Sequence, residues 1–378
     1  MALSKQRVLP EYRSIPLNKP YLPNKQKYFR QIEKMYDNVW LTNHGPLLQE
    51  FCERLSAYLG VPYIVPTSSC TAALQLAYKL FDLKGNVVST PYSFVATSSS
   101  INWVNLDVNF ADIDSKSLNI SPEMIEKAID NKTSAIVPVH VYGNPCETQK
   151  IAAIAKQHNL KVIYDAAHAF GITKDNRSIL LEGDASAISF HATKLFHSIE
   201  GGALILSNKQ DYERAMQMIN FGIDSSNGSI VSSGFNGKMS EAHAAMGIAM
   251  LDEIDSVIER RQMLYSEYKR QLGHLIDYPE WSKDASNNAA YFPILLKSKS
   301  KTEKLLKSLN MHGVQARRYF SPSLNTIPAF SASKRVLCPV SERTSKRVLC
   351  LPLYYALEKV DVKYICDIVK TVANTVKS

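Results

Sequence analysis

Short apolar runs alternate with amphipathic stretches between about residue 60 and residue 210. Short apolar runs are typical of buried strands, and the amphipathic stretches between several of them are typical of helices. This β-α-β alternation predicts an α/β fold in which helices cover a mostly parallel, seven-stranded sheet. The predicted strands are residues 63–66, 86–90, 108–111, 134–140, 161–165, 187–190 and 203–206.

A second unit is predicted after this region. Residues 237–274 form a long helical stretch, rich in Ala, Met, Glu and Arg, that could lead into a smaller α+β domain. The further helices predicted along the chain are residues 71–81, 122–130, 148–158, 301–311 and 359–372, and the further strands are 289–296 and 348–351. We divide the chain into a segment packing on both domains (1–55), a large domain (56–250) and a small C-terminal domain (251–378).

The composition is that of an ordinary globular protein, with 45% apolar and 21% charged residues. No stretch approaches the roughly 18 apolar residues of a membrane helix. The first 14 residues are polar and basic, unlike a secretory signal, so we expect a cytoplasmic protein without membrane contact. The six cysteines lie far apart without a CxxC pair, which indicates reduced thiols and no metal site.

The formal net charge of +9 favours anionic partners. Lys and Arg are spread along the chain, and no helix-turn-helix, zinc-finger or RNA-binding signature occurs. We therefore expect an anionic small molecule, and no nucleic acid, as the partner.

Lys194 ends the segment SFHATK, which follows an apolar strand and precedes a Gly pair. A lysine in this position suits a Schiff base with an aldehyde. Its amine must then be partly neutral, so we expect a pKa depressed by burial or by nearby positive charge. A lysine in an exposed turn is the ordinary structural alternative.

Asp165 ends the strand VIYD, and AAH follows it. Ligands of parallel sheets gather at the carboxyl ends of strands, where a carboxylate could hold a protonated pyridine nitrogen. His168 could contact the same ring. The alternative for Asp165 is a cap for the next helix.

Two further segments follow strands. The run TSSCTAAL, which includes Cys70 and Thr71, opens a predicted helix whose free N–H groups could bind a phosphate. Phe94, in TPYSFVAT, could stack on a cofactor ring. Ordinary helix capping and a core aromatic are the respective alternatives. Neither a Walker loop nor a GxGxxG fingerprint is present.

Taken together, these segments resemble the DegT/DnrJ/StrS family of sugar aminotransferases. The resemblance runs from about residue 16 to the C-terminus, in the family's order. It implies a fold-type-I fold, like that of aspartate aminotransferase, and pyridoxal 5′-phosphate (PLP) as cofactor. Lys194 would bind the cofactor's aldehyde and move the proton, Asp165 would pair with the pyridine nitrogen, Phe94 would stack on the ring and His168 would lie beside it.

The resemblance also implies how the phosphate and the sugar are held. Cys70 and Thr71, chiefly through their backbone N–H groups, and Ser189 would bind the phosphate. Asn236 would reach the same phosphate from the neighbouring subunit of a homodimer with shared active sites. Tyr319 would approach the sugar.

Two positions depart from the common pattern, because many relatives have Gly at Cys70 and Gln at His168. The segment around Lys194 resembles the branch that makes dTDP-4-amino-4,6-dideoxyglucose from dTDP-4-keto-6-deoxyglucose and L-glutamate. The family's dehydratases have His in place of this lysine, so transamination is favoured. A 3-keto-sugar or GDP-linked substrate remains open, as does a non-catalytic scaffold of the same fold. Each of these hypotheses except the last requires Lys194 and Asp165 to meet in one cavity.

Overall fold

The predicted strands form one seven-stranded sheet in the computed structural model, which describes residues 14–330 and 336–374. Residues 1–13 of the predicted N-terminal segment lie outside the described residues, as do residues 331–335 and 375–378 of the predicted small domain. Two further sheets of two strands each, β6–β7 and β10–β11, are also present. The strands of all three sheets are β1 (Tyr63–Thr67), β2 (Asn86–Ser89), β3 (Asp107–Phe110), β4 (Thr133–Val137), β5 (Lys161–Asp165), β6 (Thr173–Lys174), β7 (Arg177–Ser178), β8 (Ala185–Ser189), β9 (Gly202–Leu206), β10 (Phe292–Leu295) and β11 (Val348–Leu351).

The order of the large sheet is β1-β9-β8-β5-β4-β2-β3. Five neighbouring strands, from β8 to β3, run parallel, whereas β9 runs antiparallel to both β8 and β1. The prediction of a mostly parallel, seven-stranded sheet is therefore confirmed. Strand β4 ends at Val137, before the predicted end at residue 140, because Pro138 has no N–H to continue the ladder.

Helices cover both faces of this sheet and build most of the rest of the chain. They are α1 (Lys25–Asn38), α2 (Pro46–Leu59), α3 (Cys70–Leu80), α4 (Val95–Trp103), α5 (Pro122–Ala128), α6 (Thr148–His158), α7 (Lys209–Met218), α8 (Glu241–Leu251), α9 (Ile254–Leu272), α10 (Lys299–Met311), α11 (Pro339–Arg347) and α12 (Lys359–Asn374).

The stretch predicted as one helix over residues 237–274 is two helices. Ser240 caps α8, and Glu253 interrupts the helical path between α8 and α9 with φ −134° and ψ −2°. Glu253 accepts hydrogen bonds from Tyr21 and from the backbone N–H of Asn24. Since these contacts come from the far N-terminal segment, and no Gly or Pro marks the break, the sequence pattern does not reveal it.

A second core lies between the antiparallel pair β10–β11 and the helices α9, α10 and α12. Helix α9 joins the two cores, because Ile254 and Val257 pack in the first and Leu264 and Tyr268 in the second. The α+β character expected for the C-terminal part is present here. The division at residues 55 and 250 stays a prediction.

All six cysteines are free, and four of them are buried, as expected for reduced core thiols. Within the described ranges, none of the helices combines the length and the apolar character needed to span a bilayer.

Candidate active site

A cavity of about 400 Å³ opens at the carboxyl edge of the parallel strands. Its walls include the ends of β5 and β8, the first turn of α3, the turn before α4, the residues just before β9 and β10, and the loop that follows α10. The predicted residues that line the cavity are Cys70, Thr71, Phe94, Asp165, His168, Ser189, Lys194 and Tyr319. The structure therefore brings together all of the predicted site residues except Asn236.

Asp165 is the last residue of β5 and is buried. Its Oδ2 accepts a hydrogen bond of 2.7 Å from the hydroxyl of Thr97, and its Oδ1 accepts one of 3.1 Å from the N–H of Ala167. Burial raises the pKa of the carboxyl group, although these hydrogen bonds and Lys194 oppose that shift. A turn, and no helix, follows Asp165, so helix capping does not explain it.

Lys194 reaches the cavity from the loop after β8. Burial alone would lower the pKa of its ammonium group, but Tyr291, Asp165 and Cys70 outweigh burial, and the pKa is raised. The expected depressed pKa is therefore wrong for this arrangement of side chains. A cationic group bound to Asp165 would compensate that carboxylate and weaken one of the interactions that raise the pKa of Lys194.

His168 is buried in the turn that follows Asp165. Its Nδ1 accepts a hydrogen bond of 3.3 Å from the backbone N–H of Tyr142, which leaves the ring proton on Nε2. Burial, with a smaller effect of the Lys194 charge, lowers the pKa of His168 well below its usual value. The imidazole is therefore neutral and offers the cavity a hydrogen-bond donor.

The first turn of α3 forms an anion-binding corner. The N–H groups of Cys70 and Thr71 make no hydrogen bond to any other residue that the structure describes. A Cβ atom at Gly202 would lie 2.4 Å from the Cys70 nitrogen, so only glycine lets the start of β9 approach this helix end so closely. Ser189 adds a hydroxyl group that also lines the cavity. A phosphate fits this set of donors.

Phe94 precedes α4 and is 55% exposed. The alternative that it is a core aromatic is therefore wrong, and its ring offers the cavity a flat apolar surface. Tyr319 is half-buried, and its ring centroid lies 5.9 Å from that of Tyr291. Both tyrosines line the cavity, so the predicted position of Tyr319 beside a substrate is compatible with the structure.

Asn236 lies outside this cavity. It is exposed and forms an isolated bridge with Asn220, on the segment between α7 and α8. The resemblance implies that Asn236 contacts the phosphate bound in the neighbouring subunit. Its position away from the cavity of its own chain is compatible with that role. The role itself stays a prediction.

Three residues of the site were not predicted from the sequence. Thr97 donates a hydrogen bond to Asp165, Tyr291 lines the cavity from just before β10, and Arg317, an exposed residue, lines its rim. Thr97 lies within the segment TPYSFVAT and could have been found by asking which hydroxyl reaches Asp165. No local signal points to Tyr291 or Arg317, because both come from the C-terminal part of the chain.

These residues fit a flat, phosphate-bearing aldehyde with a basic ring nitrogen. The N–H groups of α3 suit the phosphate, Asp165 suits a protonated nitrogen, the Lys194 amine suits the aldehyde, and Phe94 suits a ring face. A buried acid and a lysine in one cavity are compatible with PLP, the cofactor that the resemblance implies.

Known proteins match this chain over most of its length. Residues 24–370 match the DegT/DnrJ/EryC1/StrS aminotransferase family. The chain is 41% identical over 367 residues to the dTDP-4-amino-4,6-dideoxy-D-glucose transaminase of Shigella dysenteriae, an alignment covering 94% of this chain and 98% of that protein. A protein of the same name from Escherichia coli is 38% identical over 364 residues, with 93% and 97% covered.

A solved structure is similar over nearly the whole chain. The crystal structure of DesI in the presence of its TDP-sugar product aligns with a TM-score of 0.90 and 33% identity. The alignment covers 95% of this chain and 93% of that chain. The predicted fold class is thereby confirmed.

Proposed function

The chain belongs to the DegT/DnrJ/EryC1/StrS aminotransferase family, and from this premise we propose its substrates and cofactor. It transfers the amino group of L-glutamate to dTDP-4-keto-6-deoxyglucose and forms dTDP-4-amino-4,6-dideoxyglucose, with PLP as cofactor. The observation that carries the proposal is the meeting of Lys194 and Asp165 in one cavity. The two transaminase relatives, at 41% and 38% identity, support the choice of sugar.

The chain's own residues have distinct tasks in this reaction. When bound, PLP would supply an aldehyde that reacts with amines and a ring that accepts electrons. Asp165, held by Thr97 and the Ala167 N–H, would keep a positive charge at the ring nitrogen. The Lys194 amine would hold the cofactor, and once released its Nζ would take a proton from one carbon and return it to another.

The remaining residues bind and orient. The N–H groups of Cys70 and Thr71, together with Ser189, would hold the phosphate, and Phe94 would cover one face of the ring. The His168 Nε2–H would donate a hydrogen bond to a ring substituent of the cofactor.

Anionic substrates are supported by the rim of the cavity. Arg317 is exposed there and forms no ion pair with any residue in the described part of the chain. Its guanidinium group can bind a carboxylate of L-glutamate or the diphosphate of the sugar nucleotide. The formal charge of +9 favours the approach of either anion. The homodimer with shared sites and the cytoplasmic location belong to the same proposal.

The decisive experiment is an assay of the purified enzyme with PLP, dTDP-4-keto-6-deoxyglucose and L-glutamate. We expect 2-oxoglutarate and an amino sugar whose NMR spectrum places nitrogen on C4. Lys194→Ala should lower kcat by roughly 10²- to 10⁴-fold or more, the usual contribution of a general acid/base, and should abolish the cofactor's absorbance band near the visible edge.

Lys209→Ala serves as the control, since Lys209 is exposed and forms an ion pair with Glu213 at the surface of α7. It should keep full activity. Turnover by Lys194→Ala at the normal rate would exclude the role given to Lys194. Preference for a GDP-linked sugar, or nitrogen on C3, would contradict the substrate that we propose.

A further inference from the structure

Tyr291 lines the same cavity as the reactive lysine. Its ring centroid lies 4.8 Å from that of His168 and 5.7 Å from that of Tyr142. Tyr291 is thus packed between aromatic side chains on the C-terminal wall of the cavity that holds Lys194.

The backbone that carries Tyr291 is held from two directions. The buried guanidinium group of Arg261, on α9, donates hydrogen bonds to the carbonyl groups of Ala289 (3.0 Å) and Ala290 (2.7 Å). The buried amide of Asn288 donates to the carbonyl groups of His168 (3.0 Å) and Phe170 (2.9 Å).

This segment is unusual in conformation as well as in contacts. Ala289 has a φ of +51°, in the left-handed region that a residue with a Cβ atom rarely adopts. A strained backbone persists only where its surroundings hold it, and here a fully buried cation supplies two of the bonds. Burial of the Arg261 charge costs free energy, and the two hydrogen bonds to carbonyl groups offset that cost only in part. The arrangement therefore indicates that the position of the segment carrying Tyr291 matters for function.

We propose that Tyr291 is a further catalytic residue, whose hydroxyl group is the hydrogen-bond partner of Lys194 in both protonation states of the amine, and that Arg261 is its positioning residue. This inference rests on the proposed function.

The proton balance is simple. When the Lys194 amine has taken a proton from a substrate carbon, the ammonium group donates a hydrogen bond to the Tyr291 oxygen. When the ammonium group has returned that proton to the second carbon, the Tyr291 O–H donates to the nitrogen lone pair. Tyr291 therefore keeps its own proton throughout, and it holds Nζ at one place while the proton moves.

The first test is Tyr291→Phe, which removes one oxygen atom. We expect kcat to fall roughly 10- to 100-fold, as for the loss of a hydrogen bond to a charged group. The pKa of Lys194, measured on the full chain without added cofactor from the pH dependence of its reductive methylation, should fall, because the proposed hydrogen bond to the Tyr291 oxygen favours the charged ammonium form. The titratable and charged groups near Tyr291 are Lys194, His168, Tyr142, Tyr319, Cys350 and Arg261.

Tyr278→Phe is the matched control. The Tyr278 hydroxyl is buried without a hydrogen-bond partner among the described residues, and its ring packs on Phe292 away from the cavity. This variant should keep both kcat and the pKa of Lys194.

The second test separates position from chemistry. Arg261→Lys cannot make both carbonyl bonds, so Tyr291 should shift, kcat should fall roughly threefold or more, and the pKa of Lys194 should move in the same direction as in Tyr291→Phe. Arg260→Lys, one residue earlier on α9, loses bonds to the carbonyl groups of Tyr355 and Leu357 and should change neither quantity.

An unchanged pKa of Lys194 in Tyr291→Phe overturns the proposal, whether or not kcat falls, because Tyr291 then acts elsewhere. Failure of the wild-type enzyme to use the dTDP-linked sugar would contradict the proposed substrate instead. The methylation measurement does not depend on the sugar, so the two failures are distinguishable.

Discussion

His140 is a buried titratable residue directly behind the candidate site. Its backbone N–H donates to the carbonyl group of Asp165, and its ring stacks on Tyr164 at a centroid distance of 4.5 Å. The ring's Nδ1 accepts a hydrogen bond from the Cys146 N–H, while Nε2 has no partner among the described residues. Burial lowers the pKa of His140 to about 3. A protonated ring would lose the bond from Cys146 and would bury a charge.

This burial predicts a specific loss of stability in acid. Because the folded-state pKa lies below the unfolded-state value, the unfolded chain binds the proton more readily at pH values between them. The fold is therefore favoured above about pH 6.5 and loses stability as the pH falls towards 3. His140→Asn keeps an acceptor for Cys146 and removes the titration. Urea denaturation at several pH values should show a pH slope smaller by about 1.4 kcal/mol per pH unit below pH 6. Equal pH slopes for the wild type and His140→Asn would show that titration of His140 does not cause the loss of stability in acid.

At the scale of single residues, the site was predictable where a side chain follows a strand in the chain. Asp165 ends a strand, Cys70 begins a helix, and Lys194 lies in the loop after β8, so the parallel-sheet prediction already brings all three to one edge. Tyr291 was not predictable in this way. It reaches Lys194 through a left-handed backbone at Ala289 and a buried arginine on another helix, and neither leaves a local pattern.

At the scale of elements, helices α2 and α8 pack unusually closely. Gly247 of α8 faces Phe51 of α2, and a Cβ atom built on Gly247 would lie 2.5 Å from the phenyl ring. Phe51 cannot easily retreat, because its ring also packs against Phe190 and Phe196, at centroid distances of 5.8 and 6.2 Å. The glycine is therefore required by the distance between the two helices.

Gly247→Ala should be destabilising, although alanine is the better helix former. Overpacking of a filled core typically costs about 1–3 kcal/mol, which exceeds the gain in helix propensity of roughly 1 kcal/mol. The free energy of unfolding in urea measures the net effect. A stability equal to or above that of the wild type would show that the helices separate without cost.

A double mutant identifies the cause. Phe51→Leu removes the ring that the new methyl group would meet, so Gly247→Ala should cost less in a Phe51→Leu background than in the wild type. Additive effects would mean that the clash with Phe51 is not responsible.

Helices α1 and α7, which the sequence pattern missed, bury few side chains completely. Helix α1 buries only Met35, and α7 buries only Ala215 and Met218, while some of their other apolar side chains are only partly buried. Helix α1 is also held by polar contacts, such as the Asn24 cap and the ion pair of Lys27 with Glu253 at 3.0 Å. The central strands β5, β8 and β9 were found because burial on both faces makes them largely apolar.

At the scale of the whole molecule, two segments expose apolar side chains. Val39, Trp40 and Leu41, after α1, and Ile230, before α8, are exposed, Val39 to 87%. A cavity of about 500 Å³ is lined by residues that follow these two segments along the chain, including His44 and Lys238. Exposed apolar groups of this kind mark interaction surfaces, which supports the proposed homodimer.

The proposed sharing of sites between subunits makes a prediction for mixed dimers. Lys194→Ala destroys the site of its own chain, whereas Asn236→Asp would place a negative charge against the phosphate of the partner's site. We expect each variant alone to be nearly inactive. In a mixed dimer, the site with Lys194 receives the wild-type Asn236 of the other subunit and is intact.

Co-expression of the two variants with different affinity tags tests this arrangement. Random pairing gives mixed dimers in half of the cases, each with one intact site, so about one quarter of the wild-type activity should return. Lys194→Ala combined with Asp165→Asn is the matched control, because both changes damage the site of their own chain and no pairing restores it. If Asn236 instead acted within its own subunit, the first mixture would stay as inactive as the second, and the shared site would be excluded.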